Sequence, residues 1–171
     1  MYAEYLVKRK KNIFDFIIIL LIVFAGITAT LSLFGFLFMQ LYGMFAFIGI
    51  ALVWYIVYLV VSSRNIEYEY CVTDGVLDID IITAKRKRKT LATITLSSAE
   101  IIAPASIEYI EQFNKTGVTN KIDSSMKINK IMDYFIIFSN KNGQITRLIF
   151  TPDEGILNLI KRANPRNTFF E

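Results

Sequence analysis

Few residues in this chain could do chemistry, and most of those carry charge. Five basic residues follow one another at 85–89, and four more stand near the start of the chain at 8–11. Histidine is absent, and Cys71 is the single cysteine. The chain therefore lacks the commonest general base and metal ligand, and it cannot form an intramolecular disulfide.

Carboxylates form a second pattern. Glu67, Glu69, Asp78 and Asp80 alternate with apolar residues, which places all four on one face of a β-hairpin. This face could be solvated or could bind a divalent cation. We favour a solvated face, because calcium sites usually draw oxygens from a loop with backbone carbonyls. Cys71 lies opposite Asp78, where a carboxylate disfavours the reactive thiolate. We therefore predict no catalytic residue, no metal ligand and no cofactor.

A long uncharged segment separates the two basic clusters. No Asp, Glu, Lys or Arg occurs from Phe16 to Ser63, and only 20% of the chain is charged, against about 25% in soluble domains. A bilayer crossing needs ~20 apolar residues. The sequence therefore predicts a transmembrane hairpin at 14–62, with helices at about 14–37 and 41–62. Because basic residues flank the hairpin and avoid its turn, both termini are expected in the cytoplasm.

Three features of the helices leave alternatives open. The first apolar run continues past the ~7 to 15 residues of a signal peptide, which favours a retained helix over a cleaved signal. We interpret Asp15 as an interfacial carboxylate paired with a nearby lysine rather than as an ion site. Small residues such as Gly26 and Gly49 permit close helix approach, and we favour packing within the hairpin over a homodimer seam.

The remainder, 64–171, predicts one β-rich cytoplasmic domain, with 1–13 as a basic N-terminal segment outside it. Asp74 and Gly75 fit a type I′ turn between strands at 66–73 and 76–83. The predicted pairs across this turn are Val72 with Leu77, Tyr70 with Ile79, and Tyr68 with Ile81. In a third strand at 89–96, matching apolar faces set Ala92 beside Ile81, Ile94 beside Ile79, Thr93 beside Asp80, and Thr95 beside Asp78.

The second half of the domain gives weaker signals. We predict a short strand at 99–103, an amphipathic helix opened by Pro104, and a mobile polar loop at 114–130. The later elements are strands at 133–139 and 144–150, then an amphipathic helix at 152–163. This helix is expected to begin with Thr151 as the cap, Pro152 in the first turn and Glu154 in capping-box spacing.

This order of elements resembles the small pleckstrin-homology-like barrels found beside transmembrane hairpins in bacteria. The predicted fold class is a membrane α-hairpin plus α+β, in which a C-terminal amphipathic helix closes an antiparallel β-rich domain. The stretches 4–10, 67–70, 74–80 and 85–89 also look like an uncharacterised family of small Gram-positive bacterial membrane proteins. That resemblance implies two membrane helices and a cytoplasmic domain at the bacterial plasma membrane, and it carries over no activity.

The basic clusters give the one functional hypothesis. A strand of eight residues runs ~26 Å at ~3.3 Å per residue, and the next strand returns by the same distance, which brings the loop at 85–89 back toward the lipid. We predict a membrane-anchored binding or scaffold module that contacts the bilayer and its anionic headgroups. The predicted contacts are Lys8, Arg9, Lys10, Lys11, Lys85, Arg86, Lys87, Arg88 and Lys89.

Other interpretations of the clusters remain open. The loop could be a solvated hairpin tip, or the chain could be an accessory subunit of a transporter or channel, with a membrane-protein partner or a second copy as its neighbour. Nucleic acid is not an expected partner, because the domain outside the basic loop is slightly acidic and no aromatic-rich motif flanks the loop.

Overall fold

The computed structural model describes residues 2–35, 43–106, 109, 117–127, 133–139 and 143–169. The chain forms two compact units, Met1–Lys10 with Ile66–Glu171, and Lys11–Asn65. The elements in the described residues are β1 (Tyr2–Lys8), α1 (Ile13–Phe34), α2 (Gly43–Ser63), β2 (Ile66–Thr73), β3 (Val76–Thr83), β4 (Lys87–Thr95), a 3-10 turn (Leu96–Ser98), β5 (Ile101–Pro104), β6 (Asn120–Asp123), β7 (Tyr134–Ser139), β8 (Ile145–Phe150) and α3 (Glu154–Ala163).

The unit Lys11–Asn65 is a pair of helices, both long and apolar enough to cross a membrane. The helices pack where glycines permit it, since a Cβ built on Gly26 would lie 2.9 Å from a Val57 methyl group. At the base of the pair, Oδ1 of Asp15 lies 4.0 Å from Nη1 of Arg64, a partner that the sequence did not suggest. The turn expected near Gln40 lies outside the described residues.

The first sheet of the other unit has the order β1-β2-β3-β4, and its strands are antiparallel. The β2–β3 hairpin has the predicted register, with Val72 opposite Leu77, Tyr70 opposite Ile79 and Tyr68 opposite Ile81. Its turn has φ 48° at Asp74 and φ 82° at Gly75, as a type I′ turn requires.

The predicted register of β4 is wrong by two residues. Ala92 lies opposite Ile79 rather than Ile81, and Ile94 lies opposite Leu77. The strand starts at Lys87 because a tight turn replaces the longer expected loop, and in this turn the Arg86 N–H donates a 3.1 Å hydrogen bond to the Thr83 carbonyl. A slip by two residues keeps every side chain on its own face, so matching apolar faces could not detect it.

The placement of 1–13 outside the domain is also wrong, because Tyr2–Lys8 form a strand of the domain. β1 pairs with β2 along its whole length, from Tyr2 opposite Thr73 to Lys8 opposite Glu67. Val7 is fully buried in the core. The inward alternation of apolar residues predicts a strand here, but the pairing partner lies beyond both helices, so no local hairpin signal marks it.

The second sheet has the order β5-β7-β8-β6, and it shares the main core with the first sheet and with α3. The loop expected at 114–130 is wrong in its described part, because β6 pairs there with β8 in parallel. Ile122 is the one apolar residue that this strand directs at the core, too weak a pattern to predict a strand. The helix expected after Pro104 lies mostly outside the described residues.

The cap of α3 differs from the prediction as well. Asp153 is the cap residue, and its Oδ1 accepts a 2.9 Å hydrogen bond from the Ile156 N–H. Thr151 instead accepts a hydrogen bond from the Met126 N–H at 3.0 Å and donates one to Asp133. Asp caps a helix as well as Thr does, which frees the Thr151 hydroxyl to satisfy a buried carboxylate.

Replacement of Gly75 by Val should destabilise the domain by about 1–2 kcal/mol, because a β-branched residue resists the left-handed backbone. In the described part of the chain, a Cβ at this position would meet no atom within 4 Å beyond its two chain neighbours, so the penalty comes from the backbone. Thermal unfolding of the full chain in detergent measures the effect. Gly75→Asn, which tolerates positive φ, is the matched control, and equal losses for Asn and Val would contradict the turn assignment.

Candidate functional site

One row of residues across the first sheet brings the two basic clusters together. Lys8 lies opposite Glu67, Glu67 lies opposite Ile82, and Ile82 lies opposite Arg88. The clusters are therefore at the same end of the sheet, about 14 Å apart at ~4.8 Å per strand spacing. Sequence reasoning expected this proximity from strand lengths, and the register establishes it within the domain.

The turn between β3 and β4 has an unusual backbone. Ala84 has φ 55° and Lys85 has φ 56°, so two residues with side chains occupy the left-handed region. This conformation costs about 1–2 kcal/mol per residue for anything but glycine, with Asn and Asp partly exempt. The sequence thus keeps a lysine at the tip of the hairpin where glycine or asparagine would be less strained.

The side chains at this tip are exposed to solvent. All residues from Lys85 to Lys89 are exposed. Within the described part of the chain, no carboxylate oxygen lies within 4.0 Å of the ammonium groups of Lys85, Lys87 or Lys89. These ammonium groups are therefore available to an anion from outside the molecule.

Lys10, from the N-terminal cluster, and Lys127 lie at the same end of the domain. Lys10 is exposed, and its N–H donates a 3.0 Å hydrogen bond to the carbonyl of Met126. That bond places Lys127 next to Lys10, although the Lys127 ammonium is 3.5 Å from an Asp123 carboxylate. Lys127 carried no sequence signal, since it stands alone in a polar stretch. We call Lys10, Lys85, Arg86, Lys87, Lys89 and Lys127 the basic end.

The other predicted contact residues have different surroundings. Lys8 is opposite Glu67, with its ammonium 3.9 Å from the carboxylate. The Arg9 N–H donates to the Ile66 carbonyl at 3.0 Å, and Arg9 is half-buried. Lys11 belongs to the helical unit. None of these positions tests lipid contact, which stays a prediction for all nine residues.

Arg88 departs furthest from the expected role. Its guanidinium forms an ion pair with Glu69, and its Nε lies 3.7 Å from Oδ2 of Asp80. Glu69 is almost fully buried, whereas the Arg88 side chain remains 57% exposed. Arg88 thus reaches from the basic run onto the carboxylate-bearing face, a contact that the sequence analysis missed because it did not predict the β-bulge between Thr90 and Ala92.

We call Glu4, Glu69, Asp78 and Asp80 the acidic face. Together with Tyr2 and Arg88 these residues line an open cavity of about 350 Å3 on the outer surface of the sheet. The Thr93 hydroxyl donates a 2.6 Å hydrogen bond to Asp78. Among the described residues, no group of three or more His, Cys, Asp and Glu side chains could hold a metal ion.

The electrostatics of the acidic face follow from these contacts. A hydrogen bond from the Tyr2 hydroxyl lowers the pKa of Glu4, and the same bond raises the pKa of Tyr2 to about 12. Burial raises the pKa of Glu69, and a hydrogen bond with Glu4 raises it further, while the Arg88 charge opposes both effects. The Arg88 guanidinium therefore opposes the rise in the pKa of Glu69 that burial and Glu4 cause.

The architecture defines a two-sheet β domain that is interrupted by a pair of apolar helices and closed by a C-terminal helix. The family model for the bacterial PH-like domain DUF6106 matches residues 1–170, and the chain belongs to this family. The match includes β1 and both apolar helices, so these elements are part of the family pattern. Comparisons with curated proteins and with solved structures each found no match.

Proposed function

We propose that this protein is a non-enzymatic binding or scaffold module, anchored in the bacterial plasma membrane by its two apolar helices, whose basic end binds anionic lipid headgroups. The observation that carries the proposal is the position of the basic end within the domain. Lys10 and Ile66 are the points through which the domain continues into the helical pair, and they lie at the same end of the first sheet as the basic turn.

Connectivity supports a lipid surface as the ligand. Helices that cross the bilayer would confine the domain near the membrane, so that even a weak contact gains from a high effective concentration. A Lys or Arg near an anionic surface contributes ~1 kcal/mol. Lys85, Lys87 and Lys89, whose ammonium groups have no carboxylate partner among the described residues, supply charge without first breaking an ion pair.

Backbone strain at the turn gives independent support. Strained residues persist where the surrounding structure or a function requires them. Ala84 and Lys85 keep a left-handed conformation that glycine would adopt at lower free energy. A lysine held at the hairpin tip in spite of that strain is accounted for by an anionic surface that the tip contacts.

The experiment uses the full chain in lipid nanodiscs of phosphatidylcholine, with and without phosphatidylglycerol. In a Cys71→Ser background, a fluorophore at Ala84→Cys reports on the basic turn, and a fluorophore at Thr95→Cys reports on the other end of the sheet. A spin label on the lipid headgroup quenches nearby fluorophores. We expect stronger quenching at residue 84 than at residue 95 when anionic lipid is present, and weaker quenching at high salt.

Charge neutralisation gives the quantitative form of this prediction. The double change Lys85→Gln, Lys87→Gln should weaken the free energy of docking by about 2 kcal/mol, which lowers the docking equilibrium constant roughly 30-fold. The matched control is Arg162→Gln with Arg166→Gln, near the Asn164 side chain that bonds the Leu96 carbonyl at the Gly75 end of the sheet. The proposal would fail if the two double variants changed docking equally, or if quenching were the same with and without anionic lipid.

A further inference from the structure

We infer that the contact of Arg88 with Glu69 and Asp80 is autoinhibitory, because the two carboxylates hold the guanidinium away from the lipid-binding surface. The inference rests on the proposed function, since it concerns how strongly the same basic end binds anionic lipid. The acidic face and an anionic membrane then compete for one arginine, and the acidic face holds it in the free domain.

A β-bulge in β4 places the Arg88 side chain on the acidic face. The pairing shifts between Ile79 and Asp80, so that Asp80 lies opposite Thr90 while Ile79 lies opposite Ala92. Leu91 is the extra residue, and a bulge of this kind reverses which side chains reach each face. Arg88 and Thr90 consequently line the acidic cavity with Asp80, although Arg88 belongs to an unbroken basic run.

Carboxylates on all three other strands of the first sheet interact with Arg88. Glu69 on β2 pairs with it directly, Asp80 on β3 lies 3.7 Å from Nε, and Glu4 on β1 interacts with it electrostatically. Glu69 is almost fully buried, so removal of the guanidinium would leave that carboxylate without its compensating charge. Lys87 and Lys89 have no such partner among the described residues.

This arrangement limits the strength of membrane docking. At neutral pH Lys85, Lys87 and Lys89 would contribute, and Arg88 would be held within the domain. A cationic partner on the acidic face, or a change that neutralises Glu69 and Asp80, would release Arg88 and strengthen docking. The expected gain from Arg88 is about fivefold, which corresponds to ~1 kcal/mol for one basic residue near an anionic surface.

The test is a mutant cycle on the full chain, with docking measured by quenching at Ala84→Cys in phosphatidylglycerol nanodiscs. Arg88→Gln should change docking by less than twofold when Glu69 and Asp80 are intact. In a Glu69→Gln, Asp80→Asn background the same change should weaken docking about fivefold. Lys87→Gln is the matched control and should weaken docking about fivefold in both backgrounds.

The outcomes separate this inference from the proposed function. A fivefold loss for Arg88→Gln in both backgrounds would overturn autoinhibition while leaving lipid binding intact. If Lys87→Gln had no effect on docking in either background, that result would instead contradict the proposed function. Thermal unfolding of each variant shows which proteins are folded, and Arg88→Lys, which keeps one charge near Glu69, replaces Arg88→Gln if the latter unfolds. Equal docking of Arg88→Lys and the parent in the neutralised background then supports a charge effect, and a fivefold difference contradicts it.

Discussion

A version of this protein in which a short Gly-Ser linker replaces residues 11–65 should fold as a water-soluble domain. The Arg9 N–H bonds the Ile66 carbonyl at 3.0 Å, so the two chain ends are adjacent. A linker of about four residues covers such a gap at ~3.5 Å per residue. Cooperative thermal unfolding and dispersed amide NMR signals would demonstrate the folded state.

The fragment 66–171 is the contrasting case, and it should fail to fold. It lacks β1, which supplies fully buried Val7 and the partly buried Ala3 and Tyr5 to the core. Complete burial of one large apolar side chain contributes about 1.5–3 kcal/mol, and a whole domain has only about 5–15 kcal/mol of stability. A cooperative transition in 66–171 at the same temperature as in the linked domain would contradict the assignment of β1.

Replacement of Gly26 by Leu should separate the two apolar helices. Even a Cβ at this position would lie 2.9 Å from Cγ2 of Val57, so a larger side chain must displace α2. Overpacking of this kind typically costs about 1–3 kcal/mol of stability. For a leucine in a helix contact we expect a loss at the upper end of this range. Trp54 is the single tryptophan and lies in α2, so its fluorescence during thermal unfolding in detergent reports on the helix pair.

The matched control for Gly26 is Gly35. Among the described residues, no atom beyond its chain neighbours and its own helix backbone lies within 4 Å of a Cβ built on Gly35, so Gly35→Leu adds the same side chain without the contact. We expect the Gly26 variant to lose helix-pair stability while the Gly35 variant keeps it. Similar unfolding temperatures for the two would show that the helices do not depend on the close approach at Gly26.

The parts of the fold that the sequence predicted well are local in the chain. The β2–β3 hairpin has its turn chemistry in Asp74 and Gly75, and that turn sets the register of every pair along both strands. The two apolar helices follow from composition and length alone. β1 and β6 were missed for the opposite reason, since each pairs with a strand that is distant in the chain, and β6 has Ile122 as its one apolar residue.

The candidate site divides in the same way. The two basic clusters were visible as charge runs, and their meeting at one end of the sheet follows from strand counting. The position of the Arg88 side chain depends on the bulge in β4 and on the turn formed by Ala84 and Lys85. Neither the bulge nor the turn contains a glycine or asparagine that would have indicated it in the sequence. Alternation alone therefore could not say which basic side chains share a face with the carboxylates.

Hydrogen exchange on the unmodified full chain tests lipid contact by the basic end most directly, because it needs neither label nor substitution. The protein is compared in nanodiscs of phosphatidylcholine alone and of phosphatidylcholine with phosphatidylglycerol. The account predicts slower exchange in the peptide that covers 84–89 when anionic lipid is present, with no change around the turn at Asp74 and Gly75. Equal exchange at 84–89 in both lipids would contradict the account and leave the basic run as a solvated turn.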